Sequence, residues 1–301
     1  MWERIVAFFM SIIAFFASLF GGAQVNCNFY KDLAYGSDER QIMDLCLPKE
    51  SDGEVGLVLF IHGGAWIAGN KDGYEDSLKS TCNDLGYAAA AINYRYLSEN
   101  VSLKDIADDI EAALTKIKQV GAENGININK VLLTGASAGG HLSMFYAYSR
   151  KDTSPITPVA VVNYCGPTDL TDDNFYYNSD LGMNSELGTF DVLDQLFSYA
   201  CGQSFTHEIK AEVKQALLEV SPIYYVDENT VPTVINHGKK DTIVPFSNAS
   251  ALAAKFDEYG VTYDFNIYPN SGHGLSDDKA NAKTADKLML QYEETYLGKE
   301  K

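Results

Sequence analysis

Lys130-Val-Leu-Leu-Thr-Gly-Ala-Ser-Ala-Gly-Gly-His141 constrains this chain more than any other stretch: an apolar run, a Gly-x-Ser-x-Gly turn, then a helical pattern. An apolar run of that length bounded by small residues reads as a buried strand. The turn reads as a nucleophile elbow, in which Ser137 occupies a strained strand-to-helix corner and Gly135 and Gly139 leave room for the adjoining strand and helix. Such a corner holds a serine oxygen clear of the backbone. The pattern alone is common, so its weight rests on whether oxyanion donors, an acid and a histidine follow in order.

The remaining elements supply an α/β frame for that corner. Short strands are expected over Phe29–Ala34 and Gln41–Leu47, and buried strands over Val55–Ile61, Tyr87–Asn93, Pro158–Tyr164, Val231–Asn236 and Tyr263–Ile267. Helices are expected over Tyr74–Leu85, from Ser102 to Gly121, over Phe246–Tyr259 and over Lys279–Tyr296. Ser102 caps the second of these, with Asp105 three residues on. Alternating strands and helices predict a mostly parallel sheet with right-handed crossovers, flanked by helices in three layers. The connection from Tyr164 to Val231 is far longer than a crossover needs, which marks a small cap insertion over about 169–225. Within it, Asp169–Tyr177 reads as loop and Thr206–Val220 as an amphipathic helix.

Residues 1–23 differ in kind. Ile5–Phe20 carries no charge, Arg4 precedes it and Gly21-Gly22-Ala23 follows, the layout of an export signal cleaved after Ala23. An uncleaved membrane anchor is the alternative, because Glu3 weakens the basic leader. Residues 24–301 then form one domain, exported to the cell surface or beyond, and membrane contact is confined to residues 1–23. A net charge of −18, from 23 basic and 41 acidic residues spread along the chain, opposes binding to nucleic acid or anionic lipid. The five cysteines, Cys27, Cys46, Cys82, Cys165 and Cys201, lack metal-site spacing; export allows one or two disulfides and an odd count leaves a thiol over.

A serine hydroxyl is a weak nucleophile at neutral pH and needs a histidine to take its proton and a carboxylate to orient that histidine. Asp241 follows the Val231 strand and His273 the Tyr263 strand, so both approach the sheet edge that bears Ser137, in the order Ser, Asp, His. His62-Gly63-Gly64-Ala65-Trp66 follows the Val55 strand, and the N–H groups of Gly63, Gly64 and Ala138 can face the charge that grows on a carbonyl oxygen. The constellation calls for neither a metal nor an organic cofactor.

These stretches, in this order, resemble the α/β-hydrolase superfamily, specifically its hormone-sensitive-lipase-like carboxylesterases, and are most similar to bacterial feruloyl- and acetylxylan-esterase-like enzymes. The likeness is carried by Tyr35-Gly36, Met43–Pro48, His62–Trp66, Asn93-Tyr94-Arg95, Gly135–His141, Gly166–Leu170, Asp241–Pro245 and Gly272-His273-Gly274. It implies a triad of Ser137, Asp241 and His273 with Gly63, Gly64 and Ala138 as oxyanion donors, acting on short-chain or carbohydrate-linked esters, small or oligosaccharide, through an acyl-enzyme. Two departures stand out. Ala65 replaces a third glycine of the oxyanion loop but keeps its N–H, and Ala136 stands where the lipase-like enzymes often have Asp, which draws the chain toward the feruloyl-esterase-like branch.

Competing residues have blander roles. His62 braces the oxyanion loop, His141 lies one turn into the elbow helix, His207 opens the cap helix, His237 ends a strand, and Asp169 braces its own loop. Trp66 and Tyr164, with Tyr96, Tyr176 and Tyr177, are candidate pocket aromatics, although most such rings simply pack. A peptidase or amidase of the same fold is the nearest functional alternative, since a triad also cleaves amides. A catalytically silent binding module on this fold is the alternative of a different class, and it is disfavoured because every member of the constellation is present.

Overall fold

A computed structural model of the protein describes residues 27–49, 51, 53–178, 190–204 and 211–298, with the side chains of 176–178, 190–192 and 211 left aside. Residues 1–23, expected to be an export signal or anchor, and His207 fall outside the described residues. Among them no helix is long and apolar enough to cross a membrane.

Eight strands form one sheet: β1 (Cys27–Ala34), β2 (Ile42–Pro48), β3 (Leu57–Ile61), β4 (Ala88–Ile92), β5 (Lys130–Ala136), β6 (Thr157–Tyr164), β7 (Thr233–Gly238) and β8 (Tyr263–Tyr268). Their order is β1-β2-β4-β3-β5-β6-β7-β8. The first two join antiparallel and the rest run parallel, with Ile61 opposite Gly135, Ala136 opposite Tyr164 and Tyr164 opposite Asn236. Parallel neighbours force crossovers, and the apolar runs that fill them have both faces buried. Alternation along the central strands divides the core: Leu57, Leu59, Ile61, Val131 and Leu133 face one layer, Val58 and Leu132 the other.

The first layer holds α2 (Leu103–Glu123), α3 (Ala138–Ser149) and α7 (Phe246–Tyr259); the second holds α1 (Glu75–Leu85) and α8 (Lys279–Tyr292). Ser102 caps α2 in a capping box with Asp105, whose carboxylate also accepts from the Ser102 N–H. Buried Ile106, Ile110, Ala113, Leu114 and Ile117 form that helix's inner face. The Asn93-Tyr94-Arg95 stretch leaves β4 and is pinned to α2 by the Arg95 guanidinium on the buried Asp109 carboxylate, 2.6 Å. On the outer edge Cys27 of β1 is disulfide-bonded to Cys46 of β2, while Cys82, Cys165 and Cys201 are free thiols.

The β6–β7 connection contains α4 (Asp173–Asn178), α5 (Phe190–Cys201), α6 (Ala211–Leu218) and a 3₁₀ turn at Pro222–Tyr225. Helix α4 corrects the loop expected over Asp169–Tyr177: Asp172 accepts from the Asn174 N–H and its other oxygen takes Ser247 Oγ and Asn248 Nδ2, so a polar run that looks like loop is a helix start pinned to α7. Leu193, Leu196, Phe197 and Ala200 of α5 are buried against the main core. The C-terminal helix also differs, ending at Tyr292 and continuing as a π-turn over Glu293–Leu297.

The tightest contact in this frame is where α3 leaves β5 beside β3. A Cβ on Gly139 would lie 2.0 Å from the Ile61 carbonyl oxygen, and one on Gly135 would lie 2.5 Å from the same atom. Backbone on both sides leaves nothing flexible to yield. Gly139→Ala is therefore expected to cost at least about 1–3 kcal/mol by overpacking, read as a fall in Tm of about 2–4 °C per kcal/mol. A variant that melts with the parent would contradict this packing.

Candidate active site

The elbow is built as the sequence implies. Ser137 has φ 55° and ψ −123°, a backbone conformation that an L-residue adopts only under constraint. Three contacts supply the constraint: its N–H donates to the Tyr164 carbonyl at 2.8 Å, its carbonyl accepts from the His141 N–H at 3.0 Å, and Gly63 packs against the strand end before it, where a Cβ would lie 2.7 Å from the Ala136 carbonyl oxygen. Ser137 precedes the first turn of α3, so free N–H groups and the positive end of the helix dipole lie beside it.

The loop after β3 turns back under the elbow. Gly64, Ala65 and Trp66 all have positive φ, at 113°, 48° and 62°. Gly64 also could not carry a side chain, since a Cβ would lie 2.3 Å from the Ala68 carbonyl oxygen. Its own carbonyl closes the loop by accepting from the N–H groups of Ile67 and Ala68. Among the described residues, the N–H groups of Gly63, Gly64 and Ala138 make no backbone hydrogen bond in the turns and loops, which leaves three donors near one corner. Arg40 holds the outer side: Nε donates to the Tyr94 carbonyl, Nη2 to His62 Nε2 and the Gly69 carbonyl, and the guanidinium stacks on Tyr96 at 3.6 Å. Sequence reasoning missed this clamp, because a lone arginine before β2 carries no local signal of a partner loop.

The candidate acid and base follow β7 and β8. His273 Nδ1 donates to Asp241 Oδ2 at 2.8 Å, and Asp241 Oδ1 accepts from the N–H groups of Ile243 and Val244 at 2.9 Å each. The two loops cross at Gly238, where a Cβ would lie 2.4 Å from the Ser271 carbonyl oxygen. Asp278 fixes the histidine loop by accepting from Asn270 and Ser271. The Asp241 bond places the proton on Nδ1 and leaves the lone pair on Nε2; that nitrogen is buried and has no hydrogen-bond partner, Ser137 Oγ included. The Asp241–His273 pair is thus formed, while Ser137 and His273 stand at the same edge of the sheet with no direct hydrogen bond between them.

Burial presses His273 toward its neutral form, but the adjacent Asp241 carboxylate outweighs it and raises the ring's pKa well above the ordinary value. Burial pushes Asp241 the other way, and its histidine neighbours and backbone donors prevail, so its pKa falls. His237 stands on the far side of the acid, with Nε2 2.9 Å from the Val244 carbonyl and 3.4 Å from Asp241 Oδ2. Cys165, just past β6, donates its thiol to the His273 carbonyl at 3.2 Å. Cys165, Asp241 and His273 have ligand atoms within 4.8 Å of one another, and in this structure Asp241 Oδ2 pairs with His273 Nδ1 while the thiol donates to the His273 backbone carbonyl.

The rival residues are engaged elsewhere. His62 stacks on Tyr94 at 4.2 Å and donates from Nδ1 to the Gly63 carbonyl, and burial pulls its pKa down to about 3. Asp169 caps its own turn by accepting from Thr171. Trp66 is 2% exposed and its indole N–H donates to His141 Nδ1, so it stands in the core and not on a pocket wall. Tyr164 packs toward Tyr268 and Leu275 on the α8 side, and its backbone carbonyl accepts from the Ser137 N–H. Tyr96 is half-buried, its hydroxyl on the Gly69 carbonyl. The side chains of Tyr176 and Tyr177 are not among those described.

The BD-FAE family model matches residues 43–256, a range that takes in the β3 loop, Ser137 and Asp241 and stops before His273. Among curated proteins the chain is similar to the probable carboxylic ester hydrolase LipM of Mycobacterium tuberculosis, 27% identical over 72% of this chain and 49% of that one. It is also similar to the probable isoprenylcysteine alpha-carbonyl methylesterase ICMEL1 of Arabidopsis thaliana, 23% identical over 81% and 50%. The chain thus spans about half the length of these relatives. A truncated carbohydrate esterase from gut microbiota shares the fold at a TM-score of 0.69, with 22% identity over 90% of this chain and 99% of that one. The strand order, the elbow and the family match agree: the chain belongs to the BD-FAE family and has the α/β-hydrolase fold.

Proposed function

We propose that the protein is a serine carboxylic-ester hydrolase that acts on short-chain or carbohydrate-linked esters through an acyl-enzyme. The observation that carries this reading is the buried, unpaired Nε2 of His273, held by Asp241 at the sheet edge where Ser137 stands on its strained corner. That nitrogen accepts the Ser137 proton as Oγ attacks the ester carbonyl. The N–H groups of Gly63, Gly64 and Ala138 stabilise the oxyanion, and His273 returns the proton to the leaving alcohol. Water then cleaves the acyl-serine by the same route. The carbohydrate side of the assignment draws on the likeness to the gut carbohydrate esterase. Export is part of the proposal, supported by the apolar segment before Gly21 and by the Cys27–Cys46 disulfide, a bond suited to an oxidising compartment.

Ser137→Ala is expected to abolish release of p-nitrophenol from a short acyl ester, with a fall in kcat of about 10⁴-fold or more. Retained turnover would remove Ser137 from the mechanism.

The base works only when neutral, so kcat/KM rises with pH through the His273 pKa, and the Asp241 carboxylate sets that midpoint above the ordinary histidine value of 6.5. Asp241→Asn removes the carboxylate that raises the ring's pKa and moves the midpoint downward, while kcat falls about 10⁴-fold as the tautomer is lost. A pH–rate profile unchanged by this substitution would contradict the pairing.

A further inference from the structure

The β3 loop has a difficulty of its own. Ala65 and Trp66 occupy the left-handed region that side chains disfavour, directly after the two glycines that present the proposed oxyanion donors. Such a conformation persists only where surrounding contacts over-determine it. The backbone supplies three: Ile67 and Ala68 onto the Gly64 carbonyl, and Leu97 onto that of Trp66. Besides Arg40 and Tyr96 on the loop's outer side, the Trp66 side chain itself supplies one more. The Trp66 indole N–H donates to His141 Nδ1 at 3.2 Å, the two rings meeting edge-on at 5.1 Å, with Trp66 2% and His141 0% exposed.

His141 is committed on both nitrogens. With Nδ1 accepting from Trp66, the proton sits on Nε2, which donates to the Val220 carbonyl at 2.8 Å. Val220 lies where the chain returns from α6 to the 3₁₀ turn Pro222–Tyr225, the root of the inserted segment. His141 also stacks on Phe145 at 5.8 Å, and Phe145 in turn meets Tyr225 of that root at 5.8 Å. Its backbone N–H makes the first bond of the elbow helix, to the Ser137 carbonyl. Burial holds the ring neutral, its pKa pulled down to about 4, so Nδ1 remains an acceptor at neutral pH. One buried side chain therefore joins the nucleophile helix, the β3 loop and the root of the insertion.

We propose that His141 is a positioning residue that sets the oxyanion donors through Trp66 and ties their geometry to the seating of the inserted segment at Val220. The proposal rests on the assignment of Gly63 and Gly64 as oxyanion donors. His141 touches neither substrate nor the reacting atoms; it acts through the shape of the loop.

The test compares Trp66→Phe, which keeps an aromatic ring and removes the indole donor, with His141→Gln, which retains a donor for Val220 but withdraws the acceptor at Nδ1. Each is assayed on a short acyl p-nitrophenyl ester and against a trifluoromethyl ketone, whose adduct with the serine carries an oxyanion. Both variants are expected to lower kcat about 10- to 100-fold, less than full loss of a donor, with KM little changed. The ketone is expected to bind more weakly by a similar factor. The double variant loses no more than the worse single one, because both remove the same contact. His141→Asn, whose amide oxygen stands near the Nδ1 position, recovers part of the rate. If His141→Gln does not fold, Trp66→Phe carries the comparison alone.

Unchanged kcat and ketone affinity in Trp66→Phe, with only Tm lowered, would reduce the contact to core packing and overturn the proposal. Losses that multiply in the double variant would overturn it as well. A wild-type protein inert toward esters and ketone would instead overturn the ester-hydrolase reading, and this inference with it.

Discussion

The contact on which the site depends is between backbones. Strand β3 ends, strand β5 turns into α3, and the Ile61 carbonyl oxygen lies where a side chain on either Gly135 or Gly139 would have to go. That approach puts Ser137 at positive φ and keeps Gly63 beside it, so one packing arrangement positions a serine and a candidate oxyanion donor together. Strain at Ser137, Ala65 and Trp66 is sustained by a well-packed interior, including a sheet covered on both faces and an anchored β3 loop. Acid and base need less strain, because β7 and β8 already end at the same edge and their loops cross at Gly238.

Much of this was legible in the sequence because it is encoded locally. Buried parallel strands are short apolar runs, the Ser102–Asp105 cap is a three-residue pattern, and Phe246–Tyr259 repeats apolar residues at helical spacing. The positions of Ser137, Asp241 and His273 after β5, β7 and β8 follow from the same reading, since parallel strands deliver their loops to one edge. Long-range features are where sequence reasoning thinned. Cys27 and Cys46 pair because β1 and β2 lie side by side, which their spacing does not reveal. Trp66 follows the glycines in sequence, yet its ring turns inward to His141, a partner 75 residues away.

The insertion shows a second limit. Its polar start reads as loop, and α4 forms there because Asp172 gathers donors from Asn174, Ser247 and Asn248, two of them from another helix. Asn248 in turn accepts from the N–H groups of Thr168 and Asp169, so the root of the insertion is moored to the helix that follows the acid loop. The insertion depends on tertiary mooring, while the proposed catalytic residues at the strand ends depend on local patterns.

Taken together, the elbow, the Asp241–His273 pair and the β3 loop make a covalent acyl-serine the central claim. The most direct measurement is mass spectrometry of enzyme quenched in acid during turnover of a slowly deacylating ester. The account requires one acyl group per chain, on the peptide that contains Ser137, appearing during turnover and vanishing when substrate is exhausted. Sustained ester cleavage with Ser137 unmodified at every quench time, or an acyl group on another residue, would contradict it.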